Sequence, residues 1–129
     1  MNEKHSILYV DDEESNLRVF KSTFRREFNI YIANSAREGM MILENSNIDV
    51  VITDQRMPEI TGVEFLKQIH ERFPHIPPSR LILSGFSKDE EIDVAFEKYK
   101  LFKFVSKPWN ADDLREVILK AIEIKENGK

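Results

Sequence analysis

The sequence predicts an α/β fold, a doubly wound parallel sheet of five strands with five helices on its two faces. Three observations carry this. Short apolar runs alternate with amphipathic stretches five times along the chain. The central run, Val50-Val51-Ile52-Thr53, is β-branched throughout and reads as a strand buried on both faces. It ends at Asp54, and Pro58 stops any continuation as strand, so a carboxylate arrives at the carboxyl edge of the sheet. Open α/β folds place their chemistry there. Right-handed crossovers leave few topologies, and the flavodoxin-like (βα)5 order 2-1-3-4-5 is the simplest.

Taken in order, Ile7-Leu8-Tyr9-Val10 is the first strand and ends at Asp11-Asp12-Glu13-Glu14. Leu17, Phe20 and Phe24 recur at helical spacing, which predicts a helix from Glu14 to Glu27. Ile30-Tyr31-Ile32-Ala33 is the second strand. Ser35 and Glu38 have the capping-box spacing and open a helix with Met40, Met41 and Leu43 inward. After the central strand, Thr61 and Glu64 repeat that pattern ahead of a stripe of Val63, Leu66, Ile69 and Phe73. Pro74, Pro77 and Pro78 end this helix in a stiff loop. Arg80 to Ser84 is the fourth strand, and Gly85 turns the chain. Ser87 caps a weaker helix with Ile92, Ala95 and Phe96 inward. Leu101 to Val105 is the fifth strand, at an edge if Lys103 is half exposed. Asn110 opens the last helix, carrying Leu114, Val117, Ala121 and Ile122. Residues 1–126 make one domain, and 127–129 are a polar end or the start of a linker.

The totals exclude several classes. At 129 residues the chain fits one domain. Hydrophobic residues at 41% and charged residues at 33% are ordinary for a globular protein, and a net charge of −4 argues against direct nucleic-acid or acidic-membrane binding. With no cysteine there is no disulfide and no thiolate metal site. No apolar run is long enough to span a membrane and the first residues do not resemble a signal peptide, so a cytoplasmic location is the expectation.

Strand ends one, three, four and five carry Asp11-Asp12, Asp54, Ser84 and Lys107, and the inferred fold points all of them into one crevice. Clustered carboxylates repel one another and call for a cation. A hard divalent ion with oxygen ligands, Mg²⁺ beside a phosphate, meets that need. Lys107 adds a point charge, Ser84 a hydroxyl and Gly85 an N–H for a phosphoryl oxygen. Phosphoryl transfer needs positioning and charge neutralisation above all, and this set supplies both, with Asp54 as acceptor. Singly, each feature has an ordinary explanation. The acidic run caps a helix, Asp54 is a turn residue ahead of Pro58, Ser84-Gly85 makes a turn, and Lys107 before Pro108 is a solvated lysine. Four such accidents at one sheet edge are a poorer account than one site.

These residues carry a resemblance. Asp11-Asp12, the run Asp54-Gln55-Arg56-Met57-Pro58 followed by Gly62, Ser84-Gly85 and Lys107-Pro108 stand in the order found in response-regulator receiver domains of two-component systems, over nearly the whole chain. The resemblance implies that Asp54 takes a phosphoryl group from a sensor histidine kinase or phosphotransfer protein. It implies Mg²⁺ held by Asp12, Asp54 and the Arg56 carbonyl, with Asp11 reaching the ion through water. Ser84 and Phe104 would be the switch pair, with Ser in place of the commoner Thr and Phe where Tyr is frequent. Arg56 and Phe86 would tune phosphoryl lifetime. The face of the fourth helix, fifth strand and fifth helix, carrying Ile92, Phe96, Lys103, Lys107 and Arg115, would signal to an output domain or downstream protein and form a homodimer. On this reading the chain is a phosphoacceptor taking part in its own phosphorylation and dephosphorylation, not an enzyme. A pseudo-receiver acting by protein contact is the alternative. An Asp-nucleophile phosphatase would want a second aspartate at position 56, which is Arg, and a dinucleotide module would not place Asp11-Asp12-Glu13 at a phosphate loop.

Overall fold

The computed structural model describes residues 4–77, 79–85 and 90–127. The elements in chain order are β1 (Ser6–Val10), α1 (Glu14–Phe24), β2 (Asn29–Ala33), α2 (Ala36–Asn45), β3 (Val50–Asp54), α3 (Gly62–Arg72), β4 (Ser79–Ser84), α4 (Glu90–Lys98), β5 (Leu101–Ser106) and α5 (Ala111–Asn127). Every strand pairing is parallel and the sheet order is β2-β1-β3-β4-β5, the topology expected from the sequence. The register between β1 and β3 places Val10 opposite Thr53. Asp11 and Asp54 are the next residues of those neighbouring strands, so the pairing itself delivers the two carboxylates side by side.

Alternation along the strands splits the core into two layers. Ile7, Tyr9, Val50, Ile52, Leu81 and Leu83 face α1 and α5, where Leu17, Phe20, Phe24, Leu114, Ile118, Ala121 and Ile122 cover them. Leu8, Val10, Val51 and Ile82 face the other way, against Leu43 of α2, Val63, Phe65, Leu66 and Ile69 of α3, and Ile92 and Ala95 of α4. β3 and β4 are buried from end to end, while β5 lies at the edge with Lys103 exposed. Among the described residues no helix is long and apolar enough to cross a membrane.

Several local expectations change. α1 ends at Phe24 and not Glu27, because the N–H groups of Glu27 and Phe28 both turn back to the Phe24 carbonyl and bring Phe28 into the core. Met41 is 54% exposed, since Gly39 and Leu43 take the buried face of α2. Phe96 likewise points outward, with Ile92 and Ala95 carrying the buried side of α4. Ile92 is therefore core and not a surface residue. On α5 Ile118 is fully buried, while Val117 is only partly so. Arg115 turns to α1, pairing with Glu27 at 2.7 Å and lying over the Phe24 ring, so it ties α5 to α1. The Thr61–Glu64 capping box forms in full. At α2 the Ser35 hydroxyl accepts from the Glu38 N–H, but the Glu38 carboxylate accepts from Asn34, one residue ahead of the cap. Asn110 Oδ1 accepts from the N–H groups of Asp112 and Asp113 and starts α5. The expected cap at Ser87, and Pro78, lie outside the described residues.

Candidate functional site

Asp11 is the first residue past β1 and is shut off from solvent. Its carboxylate is held by four donors. The Tyr9 hydroxyl reaches Oδ2 at 2.6 Å, Asn16 Nδ2 at 3.1 Å and Lys107 Nζ at 3.2 Å, while the Glu13 N–H reaches Oδ1 at 3.0 Å. The sequence explains the geometry. Tyr9 and Asp11 are two apart on one face of an extended chain, and Asn16 lies in the first turns of the helix that follows. Lys107 Nζ is also 3.2 Å from Asp54 Oδ1. It gets there because its N–H bonds the Ser84 carbonyl at 2.8 Å, which holds the chain against the end of β4. Asp12 stays exposed at the rim, and one oxygen each of Asp11, Asp12 and Asp54 falls within 4.8 Å of the others.

Burial pushes the Asp54 carboxyl above the usual carboxylate range and Asp11 adds to this, while Lys107 pulls the other way without cancelling it. Burial disfavours the Lys107 ammonium, but Asp11 and Asp54 outweigh burial and raise its pKa. Tyr9 is held strongly neutral, first by burial and then by its bond to Asp11. One ammonium therefore leaves a group of three carboxylates short of positive charge. An all-oxygen donor set with that deficit fits a hard divalent cation such as Mg²⁺.

Of the residues singled out in the sequence, Asp11, Asp12, Asp54 and Lys107 come together as one cluster. Ser84 is buried at the end of β4, opposite Ser106 of β5. Gly85 is exposed beyond it, and an added Cβ there would meet open space, so the turn does not demand glycine. Phe104 is half-buried against the α3–α4 layer, opposite Ile82. Arg56 is exposed on the loop two residues past Asp54, and Phe86 lies outside the described residues.

The sequence left the roles of four residues of the site unassigned, although Gln55 and Gly62 stand in the motif that carries the resemblance. Tyr9 and Asn16 bind Asp11 directly. Their only local signal is spacing, two and five residues away from it. Gln55 is nearly buried and its Oε1 accepts from the Val63 N–H at 3.0 Å. Gly62 is the fourth. A Cβ there would lie 2.5 Å from the Asp54 carbonyl oxygen, so α3 can start this close to the acidic residue only with glycine at its head.

Comparisons with known proteins agree with this geometry. A family model described as response regulator receiver domain matches residues 7–119. The hydrogenase transcriptional regulatory protein HoxA of Cupriavidus necator is 35% identical over 124 residues, covering 95% of this chain and 25% of that protein. The chain thus spans about a quarter of the length of such curated relatives. A solved CheY-like response regulator receiver domain protein from Methanospirillum hungatei superposes with a TM-score of 0.90 at 25% identity, covering 98% of this chain and 100% of that one. A response regulator receiver domain protein from Clostridium thermocellum gives 0.80 at 35% identity, covering 95% and 97%. With its sheet order, its acidic cluster and a family match over most of its length, the chain belongs to the response regulator receiver domain family.

Proposed function

We propose that Asp54 accepts a phosphoryl group from the phosphohistidine of a sensor histidine kinase or phosphotransfer protein, in a reaction that requires Mg²⁺, and that the modified domain redirects an output. The observation that carries this is one lysine ammonium shared between Asp11 and Asp54, at 3.2 Å from each, inside a cluster of three carboxylates at the sheet edge. In the transfer the donor's P–N bond breaks, its electron pair returns to the imidazole nitrogen, and an Asp54 oxygen bonds to phosphorus. Asp12, Asp54 and the Arg56 carbonyl would hold the ion. The four donors already on Asp11 support an indirect, water-mediated role for that residue. When bound, Mg²⁺ neutralises the carboxylates and orients the phosphoryl oxygens.

Lys107 then exchanges Asp54 Oδ1 for a phosphoryl oxygen. The Ser84 hydroxyl and the Gly85 N–H bind the remaining oxygens, and Phe104 moves inward behind Ser84. Arg56 and Phe86, two residues past Asp54 and Ser84 in the sequence, set how long the phosphoryl group survives. The change is read on the α4-β5-α5 face, where Val94, Phe96, Lys103 and Leu119 are exposed to meet an output domain, a downstream protein or a second copy. A hollow of about 570 Å³ beside Lys107, lined by Asn16, Val19, Thr23, Pro108, Trp109 and Ala111, offers the donor protein a seat next to Asp54. The partial match to a transcriptional regulatory protein favours a transcriptional output. The reading makes the protein cytoplasmic, and receiver domains are signalling domains, not enzymes in the usual sense.

The test is intact mass after incubation with acetyl phosphate, with and without Mg²⁺. One added phosphoryl group that needs Mg²⁺ and is absent from Asp54→Asn is the expected result, and Lys107→Ala should keep some uptake while losing output. Uptake unchanged in Asp54→Asn sinks the site. If no adduct forms, beryllofluoride, which mimics the phosphoryl group without hydrolysing, separates a short-lived adduct from a pseudo-receiver that binds none.

A further inference from the structure

Gln55, the residue after Asp54, spends its side chain in an unusual way. Its backbone carbonyl accepts from the Gly62 N–H at 2.9 Å and closes the β3–α3 loop. Its Oε1 accepts from Val63 at 3.0 Å, satisfying an N–H that the first turn of α3 would leave unpaired. With the oxygen fixed, the amide nitrogen can point only outward from α3, and it donates to Glu91 Oε1 of α4 at 3.3 Å. One carboxamide, 5% exposed, therefore joins the end of β3, the start of α3 and the first turn of α4.

α4 is lightly buried. Among the described residues it is the shortest helix, nine residues, and it buries Ile92 and Ala95, whereas α3 buries five residues. Where few apolar contacts anchor an element, one polar tie makes up a larger share of its local stability. We propose that Gln55 is a positioning residue that couples the Asp54 loop to α4. Displacement of the Asp54–Gln55 backbone on modification of Asp54 is passed through the Gln55 side chain to Glu91, beside the route through Ser84 and Phe104. The coupling rests on the phosphoacceptor reading of Asp54, whereas the tie itself is present in the unmodified protein.

Amide hydrogen exchange over residues 91–98 of the full chain tests both, with and without Mg²⁺ and beryllofluoride. In Gln55→Glu, Oε1 can still accept from Val63, but the donor is gone and a carboxylate faces Glu91. Exchange in α4 of the unmodified protein is expected to quicken about tenfold, the loss of one hydrogen bond. The reciprocal variant, Gln55→Glu with Glu91→Gln, puts the donor on the other side and should restore both the slow exchange and the α4 response to beryllofluoride. Glu91→Ala, a surface truncation, should loosen α4 in the same direction and guards against a misfolded Gln55→Glu. Unchanged α4 exchange in both single variants, or no recovery in the swap, overturns the tie. Phosphoryl uptake with an α4 response to beryllofluoride that Gln55→Glu leaves intact overturns the coupling alone. A wild type that takes up neither phosphate nor beryllofluoride overturns the phosphoacceptor reading and the coupling with it, while the exchange of the unmodified variants still judges the tie.

Discussion

The Tyr9 hydroxyl donates to Asp11 Oδ2 at 2.6 Å, with both side chains closed off from water. A buried carboxylate needs its donors, and a hydrogen bond to a charged group is among the stronger ones. Tyr9→Phe is expected to lower stability by about 2 kcal/mol in urea denaturation at neutral pH. Because the folded pKa of Tyr9 is raised, its stabilising contribution is complete below about pH 10, the unfolded value, and fades as pH climbs beyond it. The variant should show a weaker alkaline loss. Identical alkaline curves would rule out Tyr9 as the cause.

Asp54 carries the opposite kind of cost. Burial, reinforced by Asp11, raises its folded pKa despite Lys107, so ionised Asp54 weakens the fold at neutral pH. Asp54→Asn should melt a few degrees higher than wild type at pH 7. The gap should narrow as pH falls through the raised folded value and be gone below about 3.8, the unfolded value. A variant less stable than wild type at pH 7 would contradict the electrostatic balance described for the cluster.

Divalent cation should relieve that cost. Mg²⁺ at a hundredfold above its Kd is expected to add about 2.7 kcal/mol to wild type. The gain should be largely lost in Asp12→Asn, whose carboxylate is the exposed member of the cluster. Trp109, the only tryptophan, packs on Phe24 at 5.7 Å and lies two residues past Lys107, so its emission should follow the same titration. Equal Mg²⁺ stabilisation in Asp12→Asn would move the ion elsewhere.

At the head of α3, Gly62→Ala would put a methyl 2.5 Å from the Asp54 carbonyl oxygen. The backbone must shift to relieve it, at about 1–3 kcal/mol. Since the atom displaced belongs to Asp54, phosphoryl uptake should slow along with the loss of stability. Wild-type uptake in Gly62→Ala would show that the loop tolerates the displacement.

The opposite end of the sheet makes its own prediction. Arg80 is fully buried, with no carboxylate partner among the described residues, and its five N–H groups meet the carbonyls of Pro77, Tyr99, Phe73 and Ile76 and His70 Nδ1. Burial lowers its pKa to about 10, which leaves it charged at neutral pH. Arg80→Met strands these acceptors and should cost about 3 kcal/mol or more. Burial, then Arg80, with Lys100 and His75 adding to it against Glu71, lowers the folded pKa of His70. Stability should therefore be complete above about pH 6.5 and fall as pH drops below it, and His70→Gln, which keeps an acceptor without titrating, should flatten that slope.

Much of this molecule is legible in the chain because it depends on short-range pattern. Period-two and helical apolar spacing locate the strands and helices. The β-branched run before Asp54, together with the chirality of parallel crossovers, leads to the sheet order and to which strand ends share a crevice. The same pattern is blind at the margins of a helix face, where Met41 and Phe96 look inward by spacing and are exposed in the fold.

What the sequence by itself determined is the class of fold, the sheet edge that carries the chemistry and the four charged residues that meet there. Their partners were decided only by tertiary structure. Lys107 and Asp11 are 96 residues apart, Gln55 and Glu91 are 36 apart, and Arg80 draws its acceptors from α3, the loop after it and the turn before β5. The physical reason is range. Local sequence sets backbone preference and the period of burial, whereas a buried polar group must find its partner wherever packing brings one within about 3 Å, which no neighbouring residue announces.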